Sequence, residues 1–126
     1  MFYAISNYGN ENVTEWAPAF AQTWRTTLDV QYGEQKGNTF FGVQSNFLRN
    51  QEKSMFAGPG GFNDPDMLLL GAVSDMTREE ERTYLALWAF AKAPLILSGD
   101  IQFIGNVNDT DSIANMLLNS TMIQIN

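Results

Sequence analysis

Short apolar runs alternate with amphipathic stretches along the chain, which predicts that strands and helices alternate in the fold. The apolar runs that we interpret as strands are residues 1–6, 24–30, 62–70 and 95–97. The stretches with a helical pattern are 11–22, 40–52, 77–93 and 109–118, and a last apolar run covers 122–125. Four strand–helix units in succession are typical of a parallel sheet, so we predict an α/β fold. A polar loop is expected around 33–38.

Local signals support several of these boundaries. Thr77 and Glu80 form a Thr-x-x-Glu capping box at the start of the third helix, and Pro94 ends it. Pro65 makes the third strand irregular or edge-like, because proline cannot donate to a sheet ladder. The three aliphatic residues of 95–97 are expected to form a strand that is buried on both faces of the sheet.

The composition limits the chemistry that this chain of 126 residues can perform. It has no cysteine and no histidine, which excludes a cysteine nucleophile, a Ser-His-Asp triad and the usual zinc or haem sites. Hydrophobic residues make up 44% of the chain, enough for a packed core in one domain. Any catalysis must therefore use carboxylates, hydroxyls, lysine or tyrosine, and we expect no cofactor.

The charge and the hydropathy pattern indicate the kind of partner. A formal net charge of -7 argues against nucleic acid and against a basic membrane-binding patch, so a neutral ligand is favoured. No apolar run reaches the roughly 18 residues of a membrane span. Asn-x-Ser/Thr sequons begin at Asn12, Asn108 and Asn119, and they favour an extracellular, secreted protein.

Candidate functional residues lie where the predicted strands end, which is where parallel βα folds place their sites. These residues are Asn7, Asp29, Asp64, Asp66, Ser98 and Asp100. The two-residue period of a strand puts Arg25, Thr27 and Asp29 on one side. This pattern predicts either a functional guanidinium–carboxylate pair or an ordinary strand-end salt bridge.

Asp64 and Asp66 flank Pro65 and would share one face if this segment were extended. They would then form a carboxylate pair with separate roles, and Met67 beside them would line a pocket. An Asp-Pro turn in which Asn63 or Asp64 caps its own backbone is the alternative. A metal site is a third reading, but the spacing matches no EF-hand loop, and we predict no metal.

Two further groups of residues have a structural explanation. The charged stretch 78–82 begins a helix, where the helix dipole and solvation account for its acidity. The aromatic side chains of Tyr84, Trp88 and Phe90 follow helical spacing and are expected to pack in the core. Trp24 is also expected in the core, because it faces away from Arg25.

Four stretches of the chain carry a resemblance to a known family. They are NYGNENVTEWAP, TWRTTLDV, AGPGGFNDPDMLLLG and MTREEERTYLALWAFAKAPLILSGD. In order and spacing they resemble the second half of the glycoside hydrolase family 27 α-galactosidases (melibiases). The resemblance implies a (β/α)8 TIM barrel, of which residues 1–126 form about the last four βα units, the C-terminal half of the catalytic barrel.

The resemblance also implies roles for individual residues in hydrolysing terminal α-galactosides with retention of configuration. Asp29, which closes a Trp-Arg-x-x-x-Asp strand, corresponds to the general acid/base. Arg25 corresponds to the residue that contacts the sugar and the carboxylates. Asp66 is similar to a sugar-binding residue, and Met67 to a residue of the pocket wall. Asn7 stands at the position that, in the family, lies near the sugar 2-position.

The sequence departs from the family pattern at several positions. Ser6 stands where most members have cysteine, and Tyr8 where tryptophan is usual, so a family disulfide is absent and the 2-position subsite differs. The family nucleophile is the aspartate of a Lys-x-Asp motif, and no such motif occurs in this chain. We therefore expect a half-barrel that is inactive by itself.

Two alternatives to a hydrolase half remain open. One is a non-catalytic module that binds carbohydrate through Arg25, Asp66 and Asn7. The other is a homodimer formed through the exposed edges of two half-barrels, which would relieve their unpaired strands. The resemblance alone does not choose between galactose, N-acetylgalactosamine and arabinopyranose as the sugar.

Overall fold

A computed structural model describes residues 1–31, 38–73, 75–99 and 101–126 of the chain. Asp100 and residues 33–37 of the expected polar loop therefore lie outside the described residues. In chain order the elements are β1 (Ala4–Ile5), α1 (Val13–Trp16), β2 (Thr23–Arg25), α2 (Thr39–Gln51), β3 (Phe62–Asp64), α3 (Arg78–Phe90), α4 (Ile113–Leu117) and α5 (Ser120–Ile125). No helix in these ranges is long and apolar enough to cross a bilayer.

The strands form a parallel sheet in the order β1-β2-β3, which confirms the predicted arrangement. Trp24 pairs with Ile5 on one side and with Asn63 on the other, and Arg25 pairs with Asp64. Beyond β3, a parallel bridge joins Leu68 to Leu97. Because the strands are parallel, their carboxyl ends meet at one edge of the sheet.

Helices cover one side of the sheet and build the core there. The buried core residues include Val30, Val43, Leu68, Leu69, Leu70, Tyr84, Leu85, Trp88, Ile113 and Met116. A second cluster joins Trp24 to Val13 and Ala17 of the α1 region. Trp24 is therefore in the core, as expected, and we call this the helix side of the sheet.

The opposite side of the sheet, which we call the inner side, is open in the described chain. A cleft of about 280 Å³ on it is lined by Phe2, Thr23, Phe62, Pro94 and Ile96, among others. The expectation that strand 95–97 is buried on both faces is wrong here, because Ile96 is 65% exposed and only Leu97 makes a bridge. No described element covers this side of Ile96.

Several elements are shorter than predicted. The helix expected over 11–22 is limited to α1 and a 3-10 turn at Ala17–Ala19, where Pro18 supplies no N–H for a longer helix. The second predicted strand ends at Arg25, and the third ends at Asp64, just before Pro65. The last apolar run, 122–125, forms part of α5.

The start of α3 is fixed by the predicted capping box. The Thr77 side chain accepts from the Glu80 amide, and the Glu80 carboxylate accepts from the Thr77 amide at 2.7 Å. Glu81 in this acidic start is buried, so the part of the explanation that relied on solvation does not apply to it. The Glu81 carboxylate pairs with Arg78 and accepts from the Gly71 amide, and these contacts offset the loss of water.

Candidate functional site

Arg25, the last residue of β2, organises the polar edge of the sheet. Its Nη2 donates to Asp29 Oδ1 at 3.0 Å and to the Thr27 carbonyl at 3.1 Å. Its Nη1 lies 2.7 Å from Asp66 Oδ1, a charge contact without hydrogen-bond alignment. The predicted grouping of Arg25 with Asp29 is therefore present, and the guanidinium also joins a carboxylate from the neighbouring strand end.

Asp66 is held in an unusual backbone conformation directly after β3. Its φ is +118°, a value that residues with a side chain rarely adopt, so the segment is not extended as one reading required. Its amide donates to Asp64 Oδ1 at 2.9 Å, which is the self-capping turn predicted as the alternative. Its Oδ2 accepts from the Val30 amide at 2.8 Å. The turn thus aims the Asp66 carboxylate at Arg25 and at the chain after β2.

The two carboxylates that contact Arg25 differ in exposure. The Asp29 side chain is 38% exposed, whereas that of Asp66 is 1% exposed. Burial raises the pKa of Asp66 and of Asp64, although backbone N–H groups and Arg25 favour their charged forms. The Asp29 carboxylate is therefore partly open to solvent, while the Asp66 carboxylate is buried against the guanidinium at the wall of the adjoining cleft.

A cleft of about 150 Å³ lies beside these groups on the inner side. It is lined by Arg25, Asp64, Asp66, Met67, Pro94, Ile96 and Ser98. Met67 is 50% exposed, in agreement with the prediction that it lines a pocket. A complete small-molecule site usually encloses about 300–1,000 Å³, so this cleft has the size of part of a site.

Asn7 lies in a tight loop after β1 that is closed by its own hydrogen bonds. Asn7 Nδ2 donates to the Asn10 carbonyl, and Asn10 Nδ2 donates to the Asn7 carbonyl, each at 2.9 Å. The next residue, Tyr8, has φ of 60° and places its ring 5.4 Å from Arg25 Cζ. Gly9 is required in this loop, since a Cβ there would lie 2.3 Å from the Thr26 carbonyl oxygen. The loop thus extends the Arg25 site toward the β1 end of the sheet.

Three buried polar atoms at this edge have no hydrogen-bond partner within the described residues. They are Asn7 Oδ1, Arg25 Nε and Asp66 Oδ1, and the last of these is in charge contact with Arg25 Nη1. Buried polar atoms are nearly always paired in proteins, so Asn7 Oδ1 and Arg25 Nε are candidate contacts for a ligand hydroxyl. Across the described ranges, no three acidic side chains come together in a way that would hold a metal ion.

The sequence pattern did not reveal how α3 holds the site. Trp88 Nε1 donates to the Asp66 carbonyl at 2.8 Å, and the Tyr84 hydroxyl donates to the Met67 carbonyl. Both aromatic side chains are buried as expected, but Phe90 is exposed, which corrects its assignment to the core. Helical spacing identifies a buried face but not its hydrogen bonds to a distant loop, so only the packing was predictable.

Comparison with known proteins gives one consistent result. The family model described as alpha galactosidase A matches residues 3–126. An α-galactosidase from rice (Oryza sativa subsp. japonica) is 33% identical over 126 residues, covering 100% of this chain and 27% of that protein. An α-N-acetylgalactosaminidase from chicken (Gallus gallus) is 36% identical over 104 residues, covering 82% and 24%. The chain thus spans about a quarter of the length of these relatives.

A solved structure extends the comparison to the fold. The crystal structure of α-galactosidase I from Mortierella vinacea aligns with 99% of this chain at a TM-score of 0.78 and 24% identity. The alignment covers 34% of that chain. This alignment confirms the expected fold, in which the chain forms part of a TIM barrel.

Proposed function

The chain belongs to the alpha galactosidase A family, and we propose that it supplies the acid/base part of a site that hydrolyses terminal α-galactosides. The observation that carries the proposal is the Arg25-centred arrangement. One exposed carboxylate, Asp29, and one buried carboxylate, Asp66, contact the same guanidinium beside a cleft. Glycosidases of this kind need one carboxyl group that exchanges protons with the leaving group and with water.

In the proposed reaction, Asp29 first protonates the glycosidic oxygen while a second carboxylate attacks the anomeric carbon. The bond to the leaving group breaks, and a covalent glycosyl intermediate forms with inversion. Asp29 then takes a proton from water, whose oxygen displaces the carboxylate with a second inversion. The configuration is thereby retained. The nucleophilic carboxylate belongs to a segment of a complete barrel other than the one containing these residues.

The other candidate residues bind and orient the sugar in this proposal. Arg25 Nε and Asn7 Oδ1 are a donor and an acceptor for sugar hydroxyls, with Asn7 facing the 2-position. Asp66 fixes the guanidinium and contacts the sugar from the floor of the cleft. Met67 forms an apolar wall of the cleft. No step of this chemistry requires a cofactor.

The test uses a hybrid in which this chain replaces the matching 126 residues of the rice enzyme. We expect Asp29→Asn to lower turnover of an aryl α-galactoside by roughly 10²–10⁴-fold, with the glycosyl intermediate accumulating because water is no longer deprotonated. Added azide, which needs no general base, should restore turnover and give the galactosyl azide. Asp111→Asn, a matched change at an exposed aspartate, should leave the rate unchanged. Full activity of Asp29→Asn at every pH would refute the acid/base assignment.

Titrating this chain with galactose helps to distinguish the hydrolase from the alternative, a module that only binds carbohydrate. Binding to the chain, together with an unmodified hybrid that shows no hydrolysis, would favour a carbohydrate-binding module. Hydrolysis by the hybrid would favour the enzyme. Parallel assays with aryl α-galactoside, N-acetyl-α-galactosaminide and β-L-arabinopyranoside would identify the preferred sugar.

We further propose that the protein is secreted and takes part in carbohydrate breakdown outside the cell. The three sequon asparagines, Asn12, Asn108 and Asn119, are all exposed. In a eukaryotic secretory host, glycosidase treatment should therefore lower the apparent mass of the product. Retention of the protein inside the cell without glycans would contradict secretion.

A further inference from the structure

We propose that Trp88 and Tyr84 are positioning residues, which hold the Asp66–Met67 segment in the shape that the sugar site needs. This inference rests on the proposed function, in which Asp66 and Met67 form part of the site. Neither aromatic residue faces the cleft, so both act through the backbone of the segment that they hold.

The contacts come from one face of α3. Trp88 donates its indole N–H to the Asp66 carbonyl at 2.8 Å, and Tyr84 donates its hydroxyl to the next carbonyl, that of Met67. The two rings pack edge to face, with centroids 4.4 Å apart and planes at 79°. Both side chains are fully buried, so each donor has a fixed direction. Burial also raises the pKa of Tyr84, which keeps its hydroxyl protonated as a donor.

A third contact continues the same face toward the loop that follows the site. Glu81 Oε1 accepts from the Gly71 amide at 2.7 Å. Residues 81, 84 and 88 are spaced i, i+3 and i+7, so they form one stripe along the helix. This stripe holds backbone atoms of residues 66, 67 and 71 in succession. We therefore infer that the buried face of α3 fixes the backbone of residues 66–71, in addition to packing in the core.

Asp66 needs this support because its φ of +118° is unfavourable for a residue with a side chain. A conformation of this kind persists only where the surroundings fix it. The Asp64 carboxylate holds the Asp66 amide, and Trp88 holds the Asp66 carbonyl, so the peptide groups on both sides of this residue are fixed. The carboxylate then meets the Val30 amide and the Arg25 guanidinium. Loss of the Trp88 bond should let the turn relax and move Asp66 away from Arg25.

The first measurement is made on this chain and does not depend on activity. The Val30 amide, which donates to Asp66 Oδ2, serves as the NMR reporter of the Asp66 carboxylate. Trp88→Phe keeps an aromatic ring in the core but removes the N–H donor. We expect it to shift the Val30 amide resonance and to change the pH at which that resonance titrates. Trp16→Phe is the matched control, because Trp16 donates to the Glu11 carbonyl outside the site.

If Trp88→Phe does not fold, Tyr84→Phe provides the second variant. It removes only the hydroxyl that holds Met67, and the Met67 and Val30 amides are its reporters. An unchanged Val30 resonance and titration in a folded Trp88→Phe chain would overturn the positioning role. If Tyr84→Phe is the only variant that folds, an unchanged Val30 resonance and titration in that variant would overturn the positioning role.

The second measurement uses the rice hybrid. Trp88→Phe should raise KM for an aryl α-galactoside about three- to tenfold, the range expected for one hydrogen bond, with a smaller change in kcat. Trp16→Phe should change neither constant. If the unmodified hybrid has no activity, the proposed function is contradicted, whereas the Val30 measurement still decides whether Trp88 positions Asp66.

Discussion

The two sides of the small sheet differ in how well the described parts of the chain cover them. On the helix side, Trp24, Asn63 and Leu68 are all buried, and the polar groups among them are paired within the chain. On the inner side, Phe2, Phe62 and Ile96 are exposed around an open cleft. The helix side is a packed core, whereas the inner side carries the candidate ligand-binding groups and is not covered by any of the described residues. Stability and the proposed function are thus divided between opposite faces of the same strands.

The largest expected effect is on the free energy of unfolding, when one aliphatic side chain is shortened on each side of the sheet. Leu68→Ala removes buried side-chain volume on the helix side and should lower the free energy of unfolding by about 2–5 kcal/mol. Ile96→Ala removes a mostly exposed side chain on the inner side and should lower it by less than about 1 kcal/mol. Urea unfolding followed by circular dichroism measures both. Equal losses for the two variants would mean that the inner side is also part of a packed core.

A second, smaller effect concerns the carboxylate at the border of the two sides. Burial raises the folded-state pKa of Asp66 above its reference value of 3.8, so the folded chain keeps this proton to higher pH than the unfolded chain does. The resulting stabilisation is fully present below the reference value. It is lost as the pH rises through the raised pKa, at about 1.4 kcal/mol per unit of difference.

Asp66→Asn should therefore reduce the fall in stability between pH 4 and neutral pH, because asparagine does not ionise. Denaturant unfolding at a series of pH values measures the two curves. Asp111→Asn changes the net charge by the same amount at an exposed site and is the control. Wild-type and Asp66→Asn stability curves that stay parallel over the whole pH range would show that folding does not raise the pKa of Asp66.

The smallest expected effect is self-association through the inner side. We propose that two copies cover each other's exposed apolar residues, which include Phe62 and Ile96, and form a weak homodimer. Sedimentation velocity should show a concentration-dependent dimer for the unmodified chain. Ile96→Asp should abolish it, because a charge cannot be buried there without a partner. A chain that stays monomeric at high concentration would remove the dimer from consideration.

Sequence patterns were sufficient where a feature depends on spacing along one element. The capping box of Thr77 and Glu80 and the pairing of Arg25 with Asp29 are local, and both are present. Features that depend on two distant segments were not predictable. The burial of Glu81 follows from the position of Gly71, and the hydrogen bond of Trp88 follows from the turn at Asp66.

The predicted strand lengths were wrong for a related reason. An apolar run shows that a segment can pair, but the pairing itself needs a neighbour of matching length. Asp66 leaves the extended region just after β3, and Ile96 lacks a covering element in the described chain. The parallel order of the strands was nonetheless predictable, because it follows from the alternation of strands and helices and not from where each strand ends.

The loop that carries Asn7 has a consequence for how ligand preference can change. Its two asparagines hold each other's backbone carbonyls, and Gly9 donates its amide to the Arg25 carbonyl, so the turn is fastened mainly by short-range bonds. Asn7 therefore has two roles, because its Nδ2 fastens the turn while its unpaired Oδ1 faces the candidate site. If the proposed function is correct, a new sugar preference at this position requires a replacement for Asn7 that also restores its bond to the turn, whereas Arg25 and Asp29 belong to a different segment.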